Sequence, residues 1–141
     1  MLLDRPSVIE GARRHLSDSP FAGRIELVGG DFLTEVPKGG DLYLLKWILH
    51  GWDDEQAARI LAACRRAAAP EARLLVIEML LPEPWAPSQA HLYDLAMLVL
   101  FGARERTLSQ YRDLLRAAGW ELESVTPVSG DYNVLQAVTA P

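Results

Sequence analysis

The sequence has 141 residues, of which 50% are hydrophobic and 23% are charged, and its 14 basic and 19 acidic side chains give a net charge of −5. This length is typical of one domain with its own core, and the single cysteine, Cys64, excludes a disulfide framework. The acidic balance argues against nucleic acid or an anionic membrane as a partner, and no apolar run approaches the roughly 20 residues of a membrane span. We therefore expect a cytoplasmic protein whose function lies in a pocket or a protein interface.

Four apolar runs, each followed by a polar or glycine residue, predict the strands of a parallel sheet. They cover residues 1–3, 25–28, 42–49 and 74–77. Because the runs are almost unbroken, they suit strands that are buried on both faces. Turn signals or helical patterns follow the runs, which is the order of elements in an α/β fold.

Helical patterns fill most of the remaining chain. The predicted helices cover residues 7–15, 53–69, 88–100 and 107–118. Asp53 with Gln56, and Thr107 with Gln110, have the spacing of a capping box at a helix N-terminus. These pairs fix where the second and fourth helices should begin.

Two further strands are predicted at residues 120–125 and 133–138. The connection between them is a short turn at Gly130 and Asp131, and such a close connection indicates an antiparallel pair. The expected sheet is therefore mostly parallel with an antiparallel last strand.

Polar side chains follow the first four strands at their carboxyl ends. In open α/β sheets, ligands bind at this edge, because loops and helix N-termini converge there. The residues at the predicted edge are Asp4, Asp31, His50 and Glu78. Carboxylates at strand ends can accept hydrogen bonds from ribose hydroxyls, so a nucleotide-type cofactor is a reasonable expectation.

The sequence shows neither a phosphate-binding loop nor a metal-binding spacing. Glycine pairs at residues 29–30 and 39–40 match neither G-x-G-x-x-G nor G-x-x-x-x-G-K, which weakens dinucleotide and nucleoside-triphosphate interpretations. The three histidines have no ligand spacing with one another or with Cys64, so we predict no metal site.

Five motifs stand in order along the chain: DRPSV at residues 4–8, VGGDF at 28–32, LKWILHGW at 45–52, VIE at 76–78 and GARERT at 102–107. Together they resemble the S-adenosylmethionine-dependent O-methyltransferases of the caffeate and hydroxyindole type. The resemblance spans essentially the whole chain. It implies a Rossmann-like methyltransferase sheet, S-adenosylmethionine as cofactor, and a methyl acceptor that is a hydroxyl of an aromatic or polyketide-like small molecule.

The resemblance also implies which residues bind the cofactor and the acceptor. It implies that Asp4 binds the cofactor ribose, that Asp31 and Phe32 flank the adenine, and that Lys46 is a further cofactor contact. The implied acceptor pocket contains Trp47, Met97 and Phe101.

By the same resemblance, His50 matches the catalytic base, and Glu78 and Glu105 match the two carboxylates that flank it. A hydroxyl is a poor nucleophile until its proton is being removed, and an imidazole has the right intrinsic pKa to take that proton near neutral pH. Neighbouring carboxylates can fix the tautomer of the imidazole and stabilise the imidazolium.

Two departures from the family pattern are visible. Gly51 stands where the family commonly has Asp after the catalytic His, which puts in doubt any acceptor contact that this carboxylate would make. The family's glycine-rich cofactor loop, on a first strand, and its helical dimerisation domain would both precede Asp4. We therefore expect residues 1–141 to be the C-terminal part of a catalytic domain that lacks its first strand, and the full-length enzyme to be a homodimer.

Two alternatives to an active O-methyltransferase remain open. A catalytically inactive methyltransferase-like fragment could serve as a binding or assembly partner of a related subunit. A nicotinamide-dependent oxidoreductase on a similar sheet is disfavoured, because G-x-G-x-x-G is absent.

Overall fold

The computed structural model describes residues 1–140, in which seven strands and four α-helices are joined by short loops. The elements in chain order are β1 (Leu2–Asp4), α1 (Pro6–Leu16), β2 (Leu27–Gly29), β3 (Leu42–Lys46), α2 (Asp54–Ala67), β4 (Arg73–Leu81), α3 (Ala90–Phe101), β5 (Arg106–Thr107), α4 (Leu108–Ala117), β6 (Trp120–Ser129) and β7 (Tyr132–Thr139). Short 3₁₀ turns lie at Ala22–Arg24 and Leu49–Gly51.

The strands form two sheets. The larger has the order β3–β4–β7–β6, with the short strand β5 beside the end of β4. β4 is parallel to β3 and β5, whereas β7 is antiparallel to both of its neighbours, β4 and β6. β1 and β2 form a separate parallel pair. The predicted α/β fold, mostly parallel with an antiparallel last strand, is confirmed.

Side-chain caps begin α2 and α4, as predicted. The carboxylate of Asp53 accepts a hydrogen bond from the N–H of Gln56 at 2.8 Å. At α4 both halves of the capping box form: the hydroxyl of Thr107 accepts from the N–H of Gln110, and the side chain of Gln110 accepts from the N–H of Thr107. Each cap satisfies N–H groups that the helix leaves unpaired, which typically contributes about 1 kcal/mol.

The hydrophobic core joins α2 and α4 to the larger sheet. The predicted apolar face of α2 is buried, since Ile60 and Leu61 have no exposed surface and Cys64 is 2% exposed. Trp120 at the start of β6 is also fully buried, and its indole N–H donates to the carbonyl of Leu61 at 3.0 Å. This contact ties the last hairpin to the helix that follows the histidine.

The strand predicted over residues 42–49 is shorter in the structure. β3 ends at Lys46, because Trp47 has a φ of 56°, in the left-handed region, and so breaks the strand. The chain then forms the 3₁₀ turn Leu49–Gly51. The apolar run thus contains both a strand and the turn that carries His50.

The strand predicted over residues 74–77 is longer in the structure. β4 runs to Leu81, so Glu78 lies inside the strand and not at its carboxyl end, which corrects the expectation. The cause is non-local pairing: Glu78 is opposite Asn133 of β7, and Leu80 is opposite Arg106 of β5.

One face of β3 is uncovered, although its unbroken apolar run predicted burial on both faces. Leu42 and Leu44 are 53% and 58% exposed, whereas Tyr43 on the opposite face is buried. Within residues 1–140, β3 pairs only with β4 and β1 pairs only with β2. β3 therefore has one unpaired edge and one exposed face within residues 1–140.

Among residues 1–140, none of the helices combines the length and the apolar character that crossing a membrane requires.

Candidate active site

His50 lies in a turn between β3 and α2, which we call the histidine turn and define as residues 48–52. A buried carboxylate holds its first half: Oε1 of Glu78 accepts hydrogen bonds from the backbone N–H groups of Ile48 at 3.1 Å and Leu49 at 2.8 Å. Glu78 is fully buried within β4. The histidine turn is therefore attached to the middle of the larger sheet.

Glu105 contacts the imidazole directly. Nδ1 of His50 lies 2.8 Å from Oε1 of Glu105 and 3.9 Å from Oε2 of Glu78. An ionised carboxylate can only accept hydrogen bonds, so we assign the ring proton to Nδ1, which leaves a lone pair on Nε2. The side chain of His50 is 17% exposed, whereas both carboxylates are buried. The structure thus brings together the three residues that were predicted as the catalytic group.

Burial and charge shift the titration of this group. The hydrogen bond with Glu105 raises the pKa of His50 above its ordinary value of 6.5; burial opposes this rise, and the negative charges of Glu78 and Glu105 add to it. Burial raises the pKa of Glu78 to about 7, although His50 and the backbone N–H of Leu49 act in the opposite direction. Shifts of this kind are frequent at active sites, because burial and charged neighbours are arranged there together.

Glu105 reaches His50 from the segment between α3 and α4. Its backbone N–H donates to Oδ1 of Asp94 in α3 at 2.9 Å. The next residue, Arg106, begins β5 and pairs with the end of β4. The carboxylate of Glu105 is therefore held by a fixed backbone.

A cleft of about 480 Å³ opens beside His50. The residues that line it are Trp47, Ile48, His50, Gly51, Trp52, Gln56, Met97 and Phe101. Aromatic and aliphatic side chains make up most of its walls, and the polar side chains are those of His50 and Gln56. All three residues predicted for the acceptor pocket line this cleft together with the predicted base.

A second cavity, of about 20 Å³, lies on the carboxylate side of His50. Both Glu78 and Glu105 line it, together with Tyr93 and Tyr132. Trp47 lines both cavities, and its ring stacks on Tyr132 with the ring centroids 5.3 Å apart. Trp47 is thus an aromatic wall between the open cleft and the buried carboxylates.

The residues predicted to bind the ribose and adenine lie where β1 and β2 end. The backbone carbonyl of Asp4 accepts a hydrogen bond from the N–H of Gly30 at 2.9 Å. Because Asp31 follows Gly30, this bond places Asp31 near Asp4. One carboxylate oxygen of Asp4 accepts from the N–H of Arg5, and the second has no hydrogen-bond partner among residues 1–140. A β-carbon on Gly30 would lie 3.0 Å from the side chain of Leu3, so the two strand ends pack closely.

Two of the predicted cofactor residues contact the walls of the cleft. The rings of Phe32 and Trp52 meet edge to face, with the centroids 5.9 Å apart. Nζ of Lys46 lies 5.6 Å from the ring of Trp47. Asp4 belongs to the separate β1–β2 pair and is not one of the residues that line the cleft.

The sequence pattern of the O-methyltransferase domain family matches residues 1–121. The chain belongs to this family. The motifs therefore predicted the family correctly, and the solved structures confirm the predicted fold class.

The sequence of this O-methyltransferase domain is similar to those of several named methyltransferases. It is 47% identical over 139 residues to the 3-amino-4-hydroxybenzoate 4-O-methyltransferase of Streptomyces cremeus, covering 97% of this chain and 38% of the relative. It is 41% identical over 137 residues to the phenazine O-methyltransferase PhzM of Lysobacter antibioticus, covering 97% and 40%. The relatives that match also include N-methyltransferases.

Among solved structures, the domain is similar to CalO1, a methyltransferase in calicheamicin biosynthesis in its S-adenosylhomocysteine-bound form. The TM-score is 0.88 at 41% identity, and the match covers 99% of this chain and 41% of CalO1. S-adenosylhomocysteine is what remains of S-adenosylmethionine after methyl transfer, so the predicted cofactor is confirmed for the family. The chain spans about 40% of the length of the relatives that it matches.

Sequence reasoning missed several residues of this O-methyltransferase domain. The buried Arg106 donates to the carbonyls of Leu49 and Trp52, on either side of His50. Gln56 lines the cleft, and Asp94 holds the backbone of Glu105. The sequence shows the charges of Arg106 and Asp94, but neither their burial nor the distant backbone groups that they contact.

The prediction of no metal site considered only the spacing of His and Cys. The structure brings together donor atoms of His50, Glu78 and Glu105 that all lie within 4.8 Å of one another, a set that a divalent cation could use. In the O-methyltransferase domain some of these donors have other contacts, whereas Oε2 of Glu78 and Oε2 of Glu105 are buried without a hydrogen-bond partner within residues 1–140. Nδ1 of His50 is at hydrogen-bond distance from Glu105, and Oε1 of Glu78 holds two backbone N–H groups. The absence of a metal remains a prediction.

Proposed function

We propose that this domain transfers a methyl group from S-adenosylmethionine to a hydroxyl of an aromatic or polyketide-like small molecule, with His50 as the general base. One observation carries the proposal: the imidazole of His50 lines an aromatic cleft, and its Nδ1 is hydrogen-bonded to the buried carboxylate of Glu105. Such a cleft suits a flat acceptor, and the free Nε2 suits the removal of a hydroxyl proton.

The residues at the ends of β1 and β2 fit S-adenosylmethionine, which supplies an electrophilic methyl group on a sulfonium when it is bound. The unpartnered carboxylate oxygen of Asp4 can accept from a ribose hydroxyl. Phe32, packed edge to face on Trp52, offers an apolar surface for the adenine, next to Asp31. Lys46 is a further candidate contact beside Trp47. These contacts would place the cofactor between the β1–β2 pair and the cleft.

His50 and Glu105 would act as a pair in proton removal. Nε2 of His50 would take the proton of the acceptor hydroxyl, while the N–H of Nδ1 keeps donating to Oε1 of Glu105. Bound S-adenosylmethionine would supply the methyl group, whose bond to sulfur breaks as the bond to the acceptor oxygen forms, with S-adenosylhomocysteine as the leaving group. The buried carboxylates then stabilise the imidazolium. General-base assistance of this kind is typically worth about 10²- to 10⁴-fold. An amine keeps its lone pair available without a base, so this pair favours a hydroxyl acceptor.

The rate should depend on the protonation of His50. Only the neutral imidazole can accept a proton, and the pKa of His50 is raised above 6.5. We therefore expect kcat/KM to rise with pH through this raised pKa and to fall about tenfold per pH unit below it. Initial rates with saturating cofactor between pH 5 and pH 9 measure the profile. A profile that is flat from pH 5 to pH 8 would contradict His50 as the base.

Glu105→Gln should lower kcat by about tenfold, as part of the typical 10²- to 10⁴-fold contribution of the base, and leave the fold intact. The hydrogen bond with Glu105 is the main cause of the raised pKa of His50, so the acid limb of the pH profile should also move to lower pH. The pH profile of the variant measures both effects. Glu55→Gln is the matched control, because Glu55 is exposed, pairs with Arg59 and does not line the cleft. Unchanged kcat and an unmoved acid limb would refute the role of Glu105.

Transfer of a labelled methyl group from S-adenosylmethionine to a panel of phenols tests the proposed function. The complete enzyme is used, meaning the protein together with the segment that pairs with β3. Labelled NAD serves as the comparison in a binding assay. The proposal is supported if the enzyme binds S-adenosylmethionine and the labelled products are methyl ethers of phenols. It is contradicted if the enzyme binds only NAD, or if only aromatic amines become labelled.

The edge of β3 that does not pair with β4 supports a second candidate function. Residues 1–140 contain no strand that pairs with this side, and Leu42 and Leu44 are exposed. We propose that activity requires a segment, in the same polypeptide or in a partner, that supplies this strand and the glycine-rich cofactor loop. If no such segment accompanies the domain, it serves as an inactive binding or assembly partner. Homodimerisation and cytoplasmic location remain predictions.

A further inference from the structure

Four backbone groups of the histidine turn are held by two buried side chains of opposite charge. Glu78 accepts from the N–H groups of Ile48 and Leu49. On the other side, the guanidinium of Arg106 donates to the carbonyl of Leu49 at 2.8 Å and to that of Trp52 at 2.8 Å. The carbonyls of Leu49 and Trp52 stand before and after the His50–Gly51 pair.

The histidine turn has little internal support. Its own hydrogen bonds, from the N–H of Gly51 to Ile48 and from the N–H of Trp52 to Leu49, are long, at 3.2 and 3.3 Å. A β-carbon on Gly51 would meet no atom within 4 Å, so nothing packs on the turn at that point. The conformation of the turn therefore depends on the side chains that hold its backbone.

Arg106 uses all three guanidinium nitrogens in this region. Its side chain is 1% exposed, and Nε donates to Oδ1 of Asp54 at 2.9 Å. The planar guanidinium can bridge three acceptors in fixed directions, which the single ammonium of a lysine cannot reproduce. Because Arg106 directly follows Glu105, two adjacent residues hold the backbone of the histidine turn and the imidazole itself.

We propose that Arg106 is a positioning residue, which fixes the direction of the His50 imidazole toward the cleft by bridging the carbonyls of Leu49 and Trp52. The inference rests on the proposed role of His50 as the base. Its physical basis is that proton transfer needs a base within hydrogen-bond reach of the substrate, and a misplacement of about 1 Å can cost on the order of 10²-fold in rate.

Arg106→Lys keeps the charge and removes the bridge. In the complete enzyme we expect kcat to fall about 10- to 100-fold, with the affinity for S-adenosylmethionine changed by less than about twofold. Arg106→Met removes the charge as well. Because the charge of Arg106 lowers the pKa of His50, the acid limb of the pH profile should move to higher pH in the Met variant only. The shift in the Met variant reports the charge of Arg106 near His50, whereas a fall of kcat in the Lys variant, with an unmoved acid limb, reports the loss of the bridge.

Arg65→Lys is the matched control. Arg65 is partly buried, less so than Arg106, and it likewise donates to a backbone carbonyl, that of Gly119 at 3.0 Å, but it lies outside the cleft. This variant should keep kcat unchanged even if it lowers stability. Asp54→Ala is a milder variant in case Arg106→Lys does not fold: Asp54 is 54% exposed, and its loss frees Nε of Arg106. Asp54→Ala should lower kcat about threefold to tenfold, less than Arg106→Lys, because the bridge to the two carbonyls remains and the imidazole is displaced less.

Amide hydrogen exchange separates this inference from the proposed function. Exchange at Gly51 and Trp52 should accelerate at least about tenfold in Arg106→Lys and stay unchanged in Arg65→Lys. If the wild type transfers no methyl group, the proposed function fails, and the exchange rates still test whether Arg106 holds the turn. Wild-type exchange in both Arg106→Lys and Asp54→Ala, or wild-type kcat in both, would overturn the inference.

Discussion

His50→Ala should lower the rate of methyl transfer by about 10²-fold or more in the complete enzyme, with S-adenosylmethionine binding nearly unchanged. A base acts on the acceptor in the transition state, and within residues 1–140 the hydrogen bond and ion pairs of the His50 side chain are with Glu105 and Glu78, not with a residue predicted to bind the cofactor. The measurements are kcat from labelled methyl transfer and the cofactor affinity from calorimetric titration.

Two further variants sharpen this prediction. His50→Gln retains a polar side chain of similar size but cannot accept a proton near neutral pH, so it should be about as slow as His50→Ala. His15→Ala is the control, since His15 is exposed in the last turn of α1. Near-wild-type turnover in His50→Ala would remove His50 from the mechanism. Parallel losses of turnover and cofactor binding would assign it a binding role instead.

Local patterns in the sequence predicted most of the elements correctly. The caps at Asp53 and Thr107 depend on residues only three positions away; the predicted capping box forms in full at Thr107, whereas at Asp53 only the side-chain cap to Gln56 forms. The apolar face of α2 depends on helical periodicity and is buried as predicted. Such features can be predicted because their causes lie within one or two turns of the chain.

The errors arose where distant segments decide the structure. The length of β4 depends on pairing with β7 and β5, so Glu78 was placed at the end of a strand that in fact continues to Leu81. The end of β3 depends on the positive φ of Trp47, which an apolar sequence does not reveal.

The same distinction applies to the candidate site. Motif matching brought His50, Glu78 and Glu105 together in the prediction, and the structure places them in contact. It did not identify Arg106, whose partners lie more than 50 residues away in the sequence. The structure also assigns Glu78 a contact that the prediction lacked, since one of its oxygens holds the backbone of the histidine turn. A flanking carboxylate can thus support both the imidazole and its backbone.

The 141-residue chain without the segment that pairs with β3 should bind S-adenosylmethionine weakly if at all, and should show no appreciable methyl transfer. On one face of β3, Leu42 and Leu44 are more than half exposed. The edge of β3 that does not pair with β4 has no partner strand among residues 1–140. Open strand edges promote association, and buried backbone groups without partners cost on the order of 1–3 kcal/mol each. We therefore expect marginal stability or aggregation.

Exposed apolar residues on α3 strengthen this expectation. Leu98, Val99, Leu100 and Phe101 are each at least 60% exposed, and Phe101 also lines the cleft. The end of α3 that lines the cleft is therefore exposed, and an acceptor held loosely there would lose the alignment that the proposed methyl transfer needs. In the isolated chain we therefore expect weak binding of both substrates: of the cofactor near β1 and β2, and of the acceptor near α3.

Sedimentation, calorimetric titration with S-adenosylmethionine and a labelled-methyl assay on the purified monomer test this prediction together. Leu44→Lys tests whether the exposed face of β3 causes the association, because it places a charge on that face. In the isolated chain this substitution should reduce association, since it removes apolar surface from contact with water. In the complete enzyme it should lower stability, since the same face would then be covered. Micromolar cofactor affinity with steady turnover by the isolated chain would refute the need for a further segment, while leaving the family assignment intact.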